Sequence, residues 1–277
     1  MTHAAARKPI PPESEPLLLD ERPLAGVALL TLNRPDARNA LSLAMIEALH
    51  AAIAAHGADA SVCAIVLAAK GPVFSSGHDL KELTAHRADG DNGLAFYTQA
   101  MTACSAMMQA IVACPKPVIA AVQGTATAAG CQLVATCDLA IASESAKFCT
   151  PGVNIGLFCS TPMVALSRNI ARKRAMQMLL TGEMISAAEA ADWGLVNKAV
   201  AADRVLPDAL ALASDIAAKS PLTVAIGKSA FYAQAEMPLK DAYDYAARVM
   251  VDNMMARDAK EGIDAFLAKR KPEWKGC

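Results

Sequence analysis

The 277-residue sequence predicts an α/β fold with a helical region at its C-terminal end. Three observations lead there. Short apolar runs bounded by turn residues alternate with segments whose apolar residues recur at helical spacing. Hydrophobic residues make up 54% of the chain, enough for a sizeable core. From about Asp203 onward the pattern is helical throughout.

Residues 1–20 read as a disordered leader, with Pro9, Pro11, Pro12, Glu13 and Glu15 and no apolar run. A core spans 21–203 and a helical region 204–277. Gly26 to Leu32 is the first strand, ended by Asn33-Arg34-Pro35-Asp36. Ser42 caps a helix with Leu43, Ile46, Leu49 and Ile53 on one face and Gly57 as its stop. Cys63 to Ala68 is the second strand, and Phe74 to Asp79 a loop leading into a helix at Leu80. A long helix with Tyr97, Met101, Cys104, Met108 and Ile111 follows a polar loop at Arg87 to Asn92.

The stretch PKPVIAAVQGTATAAGCQLVATCDLAIASESAKF, residues 115–148, organises the rest. Val118 to Val122 suits an inner strand, Ala129 to Cys137 a helix that starts in small residues, and Leu139 to Ala142 the next strand. Such a helix start offers free N–H groups to an anion or a developing oxyanion. Ala128, Ala129 and Gly130 equally suit tight packing of a helix on a sheet. Pro151 to Leu157 reads as a strand or extended edge, and Thr161-Pro162 starts another helix. Ser186 and Glu189 form a capping box for a helix ending at Gly194, and Leu195-Val196 reads as a last short strand. Helices then cover about 204–219, 221–235, 239–255 and 257–269.

The formal charge of −1 gives no electrostatic footprint for nucleic acid or an acidic membrane. The eight cysteines form no C-x-x-C pair and read as small core residues of a reducing compartment. No apolar run reaches the ~18 residues of a membrane span, and the N-terminal residues suit neither a secretory signal nor a transit helix. The expectation is a soluble, cytoplasmic protein. Serine-hydrolase elbow, zinc-protease, P-loop and dinucleotide-binding motifs are missing, and no metal site is expected.

The strings LNRPDARNALS, FSSGHDLKEL, PKPVIAAVQGTATAAGCQLVATCDLAIAS, LLTGEMISAAEAADWGLVN and FLAKRKPEW resemble the crotonase (enoyl-CoA hydratase/isomerase) superfamily, in family order over residues 25–274. Within it, ATAAGCQLVA with TPGVNIGLFCSTP marks one subgroup. The resemblance implies a spiral of ββα units and a C-terminal helical region that builds a homotrimer, or a hexamer of paired trimers. Leu206, Leu210, Leu212, Ile216, Val249, Met250 and Met254 supply apolar surface for that assembly. It also implies an acyl-CoA thioester ligand, with no other cofactor.

By motif position, the oxyanion donors are the backbone N–H groups of His78 and Ala129, with Ser76 and Gly130 beside them. The two glutamates of family hydratases fall on Gln132 and Gly152. Glutamine has no titratable proton and glycine supplies no group, while acid and base groups contribute on the order of 10²–10⁴ each. Asn154 and Ser160 stand near positions where other members carry Asp. The His78 ring is expected to face outward; turned inward, its unperturbed pKa of ~6.5 would suit proton transfer. Lys81, Lys269, Arg270 and Lys271 are candidates for the CoA phosphates, the last three equally a solvated helix end. The reading is an enoyl-CoA hydratase-like lyase or isomerase of fatty acid metabolism, weak if active. The alternative is a non-catalytic acyl-CoA-binding scaffold.

Overall fold

A computed structural model describes residues 15–277. Most of the predicted leader lies outside the described residues; its last part does not, because a first strand, β1, already begins at Leu18. The core is a six-stranded sheet in the order β1-β2-β3-β5-β7-β10, formed by Leu18–Leu24, Val27–Leu32, Ala64–Ala69, Val118–Val122, Leu139–Ser143 and Lys198–Val200. β1 runs antiparallel to β2; every other neighbouring pair is parallel. A second sheet, in the order β4-β6-β8-β9, comprises Val73–Ser75, Thr125–Thr127, Lys147–Cys149 and Ile185–Ser186.

The chain alternates between the sheets. β3 is followed by β4, β5 by β6 and β7 by β8, each pair leading on to helix. This is the expected ββα spiral. The helices include α1 (Leu43–Ala58), α2 (Leu80–Ala85), α3 (Leu94–Ala113), α4 (Ala129–Thr136), α5 (Pro162–Asn169), α6 (Arg172–Thr181) and α7 (Ala187–Trp193). Ser42 caps α1 through Met45 N–H, and Ser186 with Glu189 forms the predicted capping box of α7.

Both faces of the large sheet are covered over its inner strands β2, β3, β5 and β7, which are therefore almost wholly apolar and buried, whereas edge strand β1 carries exposed Asp20, Glu21 and Arg22. Successive side chains alternate between two cores: Leu30, Leu67, Val118 and Ala120 face one, and Leu29, Val66, Ile119 and Ile141 the other. The second core is closed by α8 (Val205–Ala217), through Val205, Ala209 and Ala213 with Leu210, Leu212 and Ile216 packed alongside. Three residues assigned to an assembly surface are therefore sheet cover, and the core extends through α8 rather than ending at 203.

Two further expectations change. Pro151–Ile155 is a 3-10 turn rather than a strand, because Pro151 opens it and left-handed Gly156 closes it. The last strand is Lys198–Val200, with Leu195 and Val196 buried just before it.

Beyond α8 stand α9 (Pro221–Ala235), α10 (Leu239–Met254) and α11 (Arg257–Leu267). α9 is pinned to the core by Lys228, whose Nζ reaches Asp138 Oδ2 at 2.7 Å and the carbonyls of Ile111 and Lys116. Tyr232 donates to the other Asp138 oxygen at 2.9 Å. A cleft of about 380 Å³ lies here, by Pro117, Asp138 and Phe231, and holds none of the predicted site residues.

Candidate active site

The small sheet brings together six of the predicted residues: Ser76, His78, Ala129, Gly130, Gln132 and Gly152. β4, β6 and β8 are adjacent and parallel, so the segments leaving their C-terminal ends emerge side by side. Those segments carry Ser76 to His78, Ala128 to Gln132, and Thr150 to Gly152. Ligands of parallel α/β sheets sit at this end of the strands.

The first segment is fixed by the turn before α1. Arg38 and Asn39 both adopt left-handed backbone, with φ of 53° and 49°. Buried Asn39 donates to the Lys70 and Val73 carbonyls at 2.8 Å each and accepts from Arg34 N–H at 2.9 Å. The Arg38 carbonyl accepts Ser76 N–H, and Asn39's carbonyl accepts the Ser75 hydroxyl. Arg34 pairs with Asp79 at 3.3 Å, and Asp79 caps α2 through Lys81 and Glu82 N–H. The motif LNRPDARNALS thus acts as a brace for FSSGHDLKEL.

Gly77, at φ +86°, presses against the second segment. A Cβ built on it would stand 3.0 Å from the Ala129 nitrogen and 2.8 Å from the Ala128 Cβ. At Gly130 a Cβ would overlap the Ser75 carbonyl oxygen, so the first turn of α4 lies directly on β4. Thr127 donates its hydroxyl to the Ser76 carbonyl, tying the segments together. Ala128 takes φ 50° and ψ −121°, a backbone conformation that suits glycine and costs an alanine about 1–3 kcal/mol. It is held by its own N–H on the Cys149 carbonyl at 2.9 Å. The result is two backbone N–H groups, those of His78 and Ala129, side by side and without a protein acceptor among the described residues.

The two glutamate positions are occupied differently. Gln132 lies in the first turn of α4, 4% exposed, and its Oε1 is buried without a partner. Gly152 is buried at the start of the 3-10 turn, closed off by Leu157 and Cys159. The His78 ring is not turned outward: its Nε2 is buried and unpartnered, and the ring meets the backbone of Leu41, with which His78 also forms a backbone bridge. Burial pushes the imidazole below its ordinary pKa, partly offset by the Leu41 backbone. It is neutral near pH 7. Burial also raises the Cys149 thiol to about 11 and raises that of Cys159, so both stay protonated.

Other candidates fall outside this cluster. Asn154 is exposed, with its amide against Gly182, and Ser160 is exposed, with its hydroxyl on the Phe158 carbonyl. Lys81 is exposed at the start of α2. Arg270 is engaged by Glu261 at 2.6 Å and 2.9 Å, which makes it a brace of the C-terminal segment rather than a free phosphate ligand. Sequence reasoning missed Thr150. It is fully buried and its Oγ1 has no partner, yet a threonine after a strand of three residues carries no signal of its own.

A ββα spiral whose small sheet ends at two free backbone N–H groups is the crotonase fold. The chain belongs to the enoyl-CoA hydratase/isomerase family, whose model matches residues 22–277. It is similar to mitochondrial enoyl-CoA hydratase domain-containing protein 3 of Rattus norvegicus, with 48% identity over 96% of this chain and 87% of the relative. The Homo sapiens protein of that name is 49% identical over 95% of this chain and 85% of its own length. Among solved structures, an enoyl-CoA hydratase of Mycobacterium smegmatis superposes with a TM-score of 0.89 at 52% identity, covering 94% of this chain and 99% of its own. These relatives agree with the subgroup marked by ATAAGCQLVA. They also overturn the cytoplasmic expectation, since the domain-containing-protein-3 relatives are named as mitochondrial.

Proposed function

We propose that this protein binds acyl-CoA thioesters and carries out enoyl-CoA hydratase-like chemistry, hydration of a 2-enoyl-CoA or a related enolate reaction. The observation that carries this reading is the pair of unpaired N–H groups at His78 and Ala129, set side by side by Gly77. Attack at the β-carbon of an enoyl thioester, or loss of a proton from the α-carbon, moves negative charge onto the carbonyl oxygen. Two fixed donors aimed at that oxygen stabilise the charge as it forms, and losing one typically lowers the rate about 10²–10³-fold. The strained Ala128 backbone supports the assignment, because such strain collects where geometry is functionally held.

The second reading is an acyl-CoA-binding scaffold without turnover. It is favoured by Gln132 and Gly152, which leave the donors without a carboxylate acid–base pair. Neutral His78 is then the titratable side chain nearest the donors along the chain. Purified protein assayed with crotonyl-CoA, beside calorimetry with the same ligand, separates the readings. Binding with turnover supports the enzyme, binding alone supports the scaffold, and no binding removes both.

We also propose a homotrimer, or a hexamer of two trimers, assembled through α9 to α11. Leu239, Tyr243, Met255, Phe266 and Leu267 there are each more than 70% exposed. Patches of this kind mark interfaces. Lys81, Lys269 and Lys271 are the proposed contacts for the CoA phosphates.

A further inference from the structure

The two unpaired N–H groups are aimed by different means. A peptide unit is planar and trans, so an N–H points opposite to the C=O of the residue before it, and whatever holds that carbonyl fixes the N–H direction. The Ala128 carbonyl accepts the Gln132 N–H at 3.0 Å, a bond of α4 itself, so the helix sets the Ala129 donor locally. The Gly77 carbonyl accepts the Leu41 N–H at 2.8 Å, a bond from a segment distant in the chain. The Leu41 carbonyl in turn accepts the Asp79 N–H at 3.3 Å. These two bonds make the parallel bridge between Leu41 and His78. In such a bridge Leu41 spends both of its backbone groups on its neighbour, and His78 turns its own N–H to the other side. The Gly77 that precedes it lies against the Ala129 nitrogen, 3.0 Å from where a Cβ would stand.

The His78 donor therefore depends on Leu41, and Leu41 is placed by Asn39. Asn39 is fully buried, in left-handed backbone at φ 49°. Each of its polar groups is bonded. The amide nitrogen donates to the Lys70 and Val73 carbonyls, on either side of the turn before β4, at 2.8 Å each. The amide oxygen accepts the Arg34 N–H, and the Asn39 N–H donates to the Arg34 carbonyl. The Asn39 carbonyl accepts the Ser75 hydroxyl at 2.9 Å, and the same Ser75 oxygen accepts the Gly77 N–H at 3.3 Å. The bonds to Arg34 would suffice to close a local turn. Those to Lys70 and Val73 fix that turn against the start of β4, and Ser75 clips it to Gly77 at the other end.

We infer that Asn39 is a positioning residue of the candidate site, aiming the His78 N–H at the thioester oxygen through Leu41 and Ser75. This role rests on the acyl-CoA reading above and names the side chain that sets its geometry. Asn39 is sealed from solvent and acts through the direction of one peptide unit.

The test is isotope-edited infrared spectroscopy of carbonyl-labelled butyryl-CoA bound to wild type and to Asn39→Gly. Glycine keeps the left-handed backbone without steric cost and removes only the side-chain bonds. In the wild-type complex the carbonyl stretch should lie below that of the ligand in water. Asn39→Gly, folded by circular dichroism and saturated with ligand, should show a smaller shift, comparable with that of Ala129→Pro, which lacks the other donor. Asn39→Asp keeps the acceptor for Arg34 but loses both donors, and should behave as the glycine variant does. Ile53→Val is the control: it loosens the buried face of α1 outside this network and should leave the stretch as in wild type. A full wild-type shift in folded, saturated Asn39→Gly overturns the role, as does an equal change in Ile53→Val. If Asn39→Gly does not fold, Ser75→Ala, which removes the clip to Gly77, decides by the same criterion. Wild type that fails to bind butyryl-CoA, or binds it with an unshifted carbonyl, removes the thioester reading itself, a result distinct from an unaffected variant.

Discussion

The Cys159 thiol fills the space that a side chain on Gly152 would need. A Cβ on Gly152 would stand 2.9 Å from Cys159 Sγ and 2.8 Å from the Leu157 carbonyl oxygen. The second glutamate position is therefore not an empty slot awaiting a carboxylate. Gly152→Ala should destabilise the protein by about 1–3 kcal/mol, the usual range for overpacking, as measured by urea unfolding. Adding Cys159→Ala should recover part of the loss, but not all, because the Leu157 carbonyl is backbone. Gly152→Glu should add no hydration activity while Cys159 is present.

Gly77 is the second position where a single methyl group is informative. Its φ of +86° disfavours any side chain, and a Cβ would press on the Ala129 nitrogen. Gly77→Ala should weaken acyl-CoA binding in calorimetry by at least 10-fold while leaving the α1 and α3 core folded. Unchanged binding would mean that the two N–H groups do not need this contact.

His78 gives stability a pH dependence. Burial lowers its pKa in the folded state, so between the folded value and the unfolded value of ~6.5 the unfolded chain binds more protons. The contribution is fully present above ~6.5 and is lost as pH falls through the folded pKa. Urea unfolding of wild type and His78→Gln across pH 7.5 to 5 should show a steeper decline in the wild type. Parallel curves would contradict the buried neutral imidazole.

Assembly is tested through Phe266, 82% exposed on α11. Wild type should sediment as a trimer or hexamer at micromolar concentration, and Phe266→Glu should shift it toward smaller species. A wild-type monomer would contradict the assembly.

Much of this was legible in the sequence. Val118–Val122 is recovered residue for residue, and the starts of α1 and α7 follow from Ser42 and the Ser186–Glu189 box. What escaped is short or conformational. β4, β6 and β8 have three residues each, too few for a period-two pattern to declare itself. The apolar face of α8 reads the same whether it covers a sheet or a partner. The positive φ of Ala128 is hidden because alanine gives no hint of a conformation usually left to glycine. His78, Ala129 and Gln132 stand in the segments that follow β4 and β6, as their motifs read in the sequence, whereas the burial of the His78 ring nitrogen involves Leu41, a residue distant in the chain, and left no local signal.

The central claim is that the N–H groups of His78 and Ala129 hold the thioester oxygen. Isotope-edited infrared spectroscopy of a carbonyl-labelled acyl-CoA measures this directly, because hydrogen bonding to the oxygen weakens the C=O bond. The carbonyl stretch is expected to move to lower frequency on binding wild type, relative to the ligand in water, and the shift should shrink in a folded Ala129→Pro variant, which lacks one donor. A bound ligand whose carbonyl stretch matches that in water would contradict the claim.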